Sequence, residues 1–137
     1  MGNSVIGAWC NLGAGSNISN MKNNYGDVKV WNYGGEGLIS SKQMFCGLTM
    51  GDHSKCSIQT TFNTGTVVGV GANIFSKGFP PKFVPSFTWG FDGEYRFEDF
   101  IKTASVVLDR RNKTLSDSEK SMLLHLHKIT GYFRNKK

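Results

Sequence analysis

Few side chains in this sequence have the chemistry of a nucleophile, a base or a metal ligand. The histidines are His53, His125 and His127, and the cysteines are Cys10, Cys46 and Cys56. No two cysteines have CxxC spacing and the histidines form no ligand set with them, so no metal site is expected. His125 and His127 stand two apart, which separates them on a helix and marks them as surface or tail residues rather than a catalytic pair. The odd cysteine count, without a leading secretion signal, points to reduced, buried thiols in a cytoplasmic protein. No GxxxxGK[ST] run is present, and Gly69-Val70-Gly71 reads as a turn between repeating units rather than a dinucleotide site.

The elements that would position such residues follow from composition and period. The chain has 137 residues, of which 39% are apolar, 12% aromatic and 19% charged, with 17 Gly and 3 Pro. That suffices for one domain with a core and excludes disorder. No run approaches a membrane span. The net charge of +6 is local. From Arg110 to Lys137 there are eight basic and two acidic residues, 8 − 2 = +6, whereas residues 1–109 hold eight of each sign. The basic excess reads as a solvated helical tail, and no nucleic-acid or membrane partner is expected from a body without a basic, aromatic-lined stripe.

A six-residue period organises the body. Ile6, Leu12 and Ile18 form one series, and Met50, Cys56, Phe62, Val68 and Ile74 form a second. Four positions after these apolar residues the side chain is small: Cys10, Ser16, Ser54, Thr60, Thr66, Ala72 and Gly78. Helices repeat near 3.6 and strands at 2, so a period of six means a short strand plus a turn. Stacked units of this kind predict a mainly β fold, a left-handed parallel β-helix over residues 1–79. Met1-Gly2 reads as the tail of a preceding unit, so the chain is expected to be the C-terminal piece of a longer protein. Between the two series, residues 20–43 leave the period. Asp27-Val28-Lys29-Val30-Trp31 alternates, Gly34-Gly35 signals a turn and Leu38-Ile39-Ser40 can return, which predicts a loop or hairpin thrown out from one corner.

Pro80, Pro81 and Pro85 end the period, and residues 80–96 are expected as an extended segment closing the open edge of the last coil. Phe97, Phe100, Ile101, Ala104, Val107 and Leu108 have helical spacing. Ser116 with Glu119 has the pattern of a capping box. It opens a second helix with Leu115, Met122, Leu123, Leu126 and Ile129 on its apolar side, stopped by Gly131. Two C-terminal helices are thus expected over residues 97–133.

The run Val5 to Asn20, with Asn11-Leu12-Gly13-Ala14-Gly15-Ser16 at its centre, resembles the NhGAGT-type segment (h apolar) of sugar-1-phosphate nucleotidylyltransferases that carry a C-terminal left-handed β-helix. Asp27-Val28-Lys29-Val30, Gly51-Asp52-His53-Ser54-Lys55 and Asn63-Thr64-Gly65-Thr66 extend the resemblance over residues 2–79. The related enzymes are of the bifunctional glucose-1-phosphate thymidylyltransferase or N-acetylglucosamine-1-phosphate uridylyltransferase type. In them the β-helix half transfers acetyl from acetyl-CoA to an amino-sugar-1-phosphate.

The resemblance implies a homotrimer with sites in the clefts between neighbours, acetyl-CoA as co-substrate, and an upstream nucleotidylyltransferase domain. It places Asn20 on the acceptor sugar or the developing oxyanion, Asn11 on the acceptor side and Lys29 on the sugar phosphate. Ala14, Ile58 and Ser76 fall where the family meets the thioester end and pantetheine chain of CoA. The alternative for Asn11 and Asn20 is a turn residue at a coil corner, and for Lys29 a solvated charge. The family's base histidine lies in a coil that precedes this sequence, and its second phosphate-binding lysine aligns with Gly26. Acetyl transfer by this chain alone is therefore expected to be impaired. The competing reading is a non-catalytic trimerisation module of a glucose-1-phosphate thymidylyltransferase-like enzyme.

Overall fold

A computed structural model describes residues 1–75 and 78–136. The six-residue period appears as two-residue strands. β1 (Val5–Ile6), β2 (Asn11–Leu12) and β3 (Asn17–Ile18) come first, followed by a hairpin of β4 (Lys29–Asn32) and β5 (Gly37–Ser40). The period resumes with β6 (Thr49–Met50), β7 (Lys55–Cys56), β8 (Thr61–Phe62), β9 (Val67–Val68) and β10 (Asn73–Ile74). Each strand pairs in parallel not with its neighbour in sequence but with the strand one coil away. Val5 pairs with Thr49 and Thr49 with Val67, Asn11 with Lys55 and Lys55 with Asn73, and Asn17 with Thr61. Successive strands thus fall in rotation on three sheets, called here the first, second and third walls.

The reason is burial. The second residue of each strand faces the space between the walls. Met50, Cys56, Phe62, Val68 and Ile74 are buried there with Leu48, Ala72 and Val84. Ile6, Cys10, Leu12 and Ile18 pack against this core from the first coil but stay partly exposed.

The corners follow one rule. The third residue after the interior position has positive φ: Trp9 (61°), Gly15 (72°), His53 (61°), Gln59 (59°), Gly65 (62°) and Gly71 (66°). The fourth residue, small in the sequence pattern, closes the turn. The hydroxyls of Ser16, Thr60 and Thr66 donate to the carbonyls of Gly13, Ser57 and Asn63, three residues back, at 2.6, 2.8 and 2.8 Å. Gly13 is required for a different reason: a Cβ there would run into the backbone of Ser57 and Ile58 on the next coil.

The segment expected merely to cover the last coil is itself another coil. β11 (Phe83–Val84) pairs in parallel with β9, and β12 (Thr88–Trp89) with β10. Phe87 has φ 58°, and Thr88 donates to the Pro85 carbonyl at 2.8 Å, so the corner rule holds. Pro85 and the ten residues separating Val84 from Ile74 conceal this unit in the sequence. β13 (Gly93–Glu94) then turns back antiparallel on β12 and ends the sheet.

Helices α1 (Phe97–Asp109), α2 (Asp117–Ile129) and α3 (Gly131–Asn135) follow. The capping box at Ser116 forms as expected. Gly131 does not stop the helical region, because Thr130 ends α2 and Gly131 begins a third, short helix. Of the residues expected on its apolar side, Leu123 is buried and Leu126 packs against the second core, Met122 and Ile129 are exposed, and Leu115 is buried but precedes the helix. The helices make a second core, with Phe87, Tyr95, Phe100, Ala104, Leu108, Leu115 and Leu123 at its centre and Trp9 and Val70 packed against it. They dock on their own coils, along the corner between first and second walls. The basic tail is not wholly solvated. The Arg134 side chain is 5% exposed and donates to the carbonyls of Ser86 and His127 and to Glu94. Among the described residues no helix is long and apolar enough to cross a membrane.

Gly65 combines the left-handed φ with a close approach, since a Cβ there would sit 2.5 Å from the Lys29 carbonyl oxygen. Gly65→Ala is therefore expected to cost about 1–3 kcal/mol in urea unfolding. Gly34→Ala, whose Cβ would find its nearest atom at 3.6 Å, is expected to change stability by less than about 1 kcal/mol.

Candidate functional site

The hairpin leaves the coils at the corner between third and first walls and returns to it, with the Cys46 N–H donating to the Asn20 carbonyl at 2.8 Å. Val28, at its base, is fully buried. Its strands register Lys29 with Ser40 and Asn32 with Gly37. Rather than projecting freely, it folds back along the stack. Trp31 lies flat on Phe83 with ring centroids 4.2 Å apart, Tyr33 meets Phe83 and Phe133 edge-on, and Glu36 at the tip accepts from Tyr132 and Lys136.

This folding gathers three lysines at the hairpin base. Lys82, half-buried in the fourth coil, donates to the Lys29 carbonyl at 3.4 Å and to the Thr64 hydroxyl at 3.3 Å. Burial lowers the pKa of its ammonium, and the positive charges of Lys22 and Lys29 lower it further, against a raising effect from Cys46. Lys22 donates to the Asp27 carbonyl at 3.2 Å. Among the described residues none of the three lysines is in an ion pair. The acid at this base, Asp27, accepts at its Oδ2 from the Ser40 hydroxyl at 2.9 Å rather than pairing with a lysine. Cations crowded together without a paired carboxylate favour an anion, and Lys and a hydroxyl are suited to hold a phosphate. Lys82 joins this group from the fourth coil, which its distance in sequence from Lys22 and Lys29 conceals.

The expected site residues do not form one group within a chain. Asn20 is at the same corner as Lys29, one coil level before Gly65, against which Lys29 packs. Its amide donates to the Asn3 Oδ1 at 2.8 Å, so it serves as a corner residue as well. Asn11 is exposed on the second wall. Ala14 and Ile58 are neighbours at the corner between second and third walls, where the Gln59 N–H donates to the Ala14 carbonyl at 2.9 Å. Ile58 is 69% exposed. Ser76 lies outside the described residues. The three groups therefore occupy two different corners and one wall of the stack.

No family model matches the sequence, and no curated protein matches it. Lysines, amides and backbone groups bind and neutralise; they do not supply a base at neutral pH. His53 does not supply one here either. It is buried at 8% exposure beneath α1, its ring edge-on to Phe100 at 5.7 Å and its Nδ1, among the described residues, without a hydrogen-bond partner. His127 is not a free tail residue: it packs against Phe87 and Phe97 and lies 3.2 Å from Glu94. His125 is exposed. All three cysteines are free, as expected, but only Cys56 is buried; Cys10 and Cys46 are half-exposed.

Burial, followed by the positive charge of Lys55, depresses the pKa of His53 below its ordinary value of 6.5, with Asp52 and Glu119 acting in the opposite direction. Above that ordinary value both folded and unfolded His53 are neutral. As the pH falls through it, the unfolded chain takes up a proton that the folded chain refuses, so stability drops. His53→Asn, which tolerates the left-handed corner, is expected to flatten the loss of unfolding free energy between about pH 6.5 and pH 5. Urea titrations of both proteins across that range provide the check.

Proposed function

We propose that the chain is the acyltransferase-type portion of a sugar-1-phosphate nucleotidylyltransferase, a left-handed parallel β-helix that works as a homotrimer. The carrying observation is the unpaired lysine cluster at the hairpin base, on the same corner as Asn20. In this reading the phosphate of an amino-sugar-1-phosphate lies among Lys22, Lys29 and Lys82. The Asn20 amide holds the sugar or the oxyanion, and acetyl-CoA runs past Ala14, Ile58 and Ser76. The dispersal of these groups over two corners and one wall favours a site completed between copies, with Asn11 reaching the acceptor from the second wall.

The transfer needs the amine to attack the thioester carbonyl, donors for the tetrahedral oxyanion, and a base for the departing proton. Amides and backbone N–H groups supply the donors, and CoA leaves as the thiolate. The base comes from outside this sequence, so the chain alone binds its substrates but turns them over poorly. A second reading is a purely structural trimerisation module, favoured by apolar side chains exposed along one edge: Ile58 at 69%, and Phe75 at 45% with Trp89 edge-on to it.

Sedimentation should give three times the chain mass. Calorimetry should detect glucosamine-1-phosphate and CoA, with Lys29→Gln and Lys82→Gln together weakening the sugar phosphate by roughly tenfold or more. A trimer that binds neither compound establishes the structural module instead. Turnover near the rate of a complete enzyme overturns the dependence on an outside base.

A further inference from the structure

On the opposite side of the stack, the end of α1 comes down against the second wall and encloses a second group of cations. The geometry follows from the corner rule. Trp9, His53, Gly71 and Phe87 are the left-handed residues of one corner on successive coils, and α1 runs across them with Phe100 packed on His53 and Phe87. Its last turn then overhangs Asn11 and Lys55, which are paired on neighbouring strands of the second wall. A cleft of about 390 Å3 remains, lined by Trp9, Cys10, Asn11, Lys55, Val107, Arg110 and Arg111.

The charge there is of one sign. Among the described residues Lys55, Arg110 and Arg111 make no ion pair. Lys55 is half-buried, and its ammonium donates only to the His53 carbonyl, at 3.2 Å. Of the acids near in sequence, Asp52 is turned onto the backbone, where its Oδ1 accepts from the Ala8 N–H at 2.7 Å, and Asp109, which precedes Arg110, lines a different cleft with Lys113 and Lys120. Burial lowers the Lys55 pKa, as expected for a cation held out of water without a partner. Two guanidinium forks beside an ammonium suit the oxygens of a phosphate, while Trp9 and Val107 provide an apolar wall.

We propose that this cleft binds a phosphorylated small molecule, its phosphate held by Lys55, Arg110 and Arg111 and its ring portion set against Trp9. The site goes beyond the acyl-transfer reading and stands without it, because it uses other cations on another wall. ADP, pyrophosphate and inorganic phosphate are the probes, titrated calorimetrically at low salt. ADP is expected to bind most tightly, and added salt to weaken all three. Arg110→Gln with Arg111→Gln should weaken ADP by roughly tenfold or more, and Lys55→Gln is the second test should that variant fail to fold. Lys102→Gln, on the outer face of α1, and Lys29→Gln, at the hairpin base, should leave ADP binding unchanged. The proposal is overturned if ADP and pyrophosphate fail to bind at millimolar concentration, or if the arginine variant binds them as well as the parent. A loss of ADP binding in Lys29→Gln overturns it too, by moving the anion to the hairpin.

Discussion

Everything in this molecule depends on the corner. A coil built from two-residue strands has almost no regular structure to hold it, so its geometry is set where it bends. Each bend needs one residue in the left-handed region and close contact with the coils on either side. A left-handed conformation costs an L-residue about 1–2 kcal/mol, and Gly escapes that cost. Gly15, Gly65 and Gly71 stand there, yet Trp9, His53, Gln59 and Phe87 accept the same backbone. At Trp9, His53 and Phe87 the outward-pointing side chain is compensated by packing, because these three aromatic rings form the floor on which the helices rest.

The two cores are therefore mechanically linked. The inner core, with Phe62, Met50 and Ile74 at its centre, holds the coils together, and the corner residues between first and second walls carry the outer core on their side chains. The hairpin ties the other side. It begins at the corner after the first coil and reaches Phe83 in the fourth and α3 beyond it through Trp31, Tyr33 and Glu36. Coils that contact only their immediate neighbours behave as a one-dimensional stack. The hairpin and α1 both span several coils and make this short stack cooperative.

Charge follows the same architecture. The molecule has a net charge of +6, and two of its cation groups lie where an element crosses the coils: Lys22, Lys29 and Lys82 under the hairpin, and Lys55, Arg110 and Arg111 under the end of α1. In each, cations from two segments far apart in sequence meet, and among the described residues none of them is in an ion pair. The tail's charge is thus divided between Arg134, locked onto Glu94 and the Ser86 carbonyl, and Arg110 and Arg111, which line the cleft at the end of α1.

The walls were legible in the sequence because a period of six can be satisfied only by strand and turn, and Met50, Cys56, Phe62, Val68 and Ile74 do line the core. The hairpin and the first two helices were legible for similar local reasons: alternation around Gly34-Gly35, and a capping box at Ser116. The fourth coil was not, since Pro85 and an irregular spacing hide a unit whose signature, Thr88 bonded to Pro85, is a hydrogen bond and not a residue type. Sequence placed Lys29 on the hairpin and Asn20 at a corner, whereas Asn11, read from its residue type as a corner residue, lies in strand β2. Only the tertiary structure decided that Lys22 and Lys82 join Lys29, that His53 is sealed under α1, and that Arg110 and Arg111 meet Lys55. Local pattern fixes where a side chain sits on its own element, whereas proximity between elements depends on how far the hairpin and α1 reach across the stack.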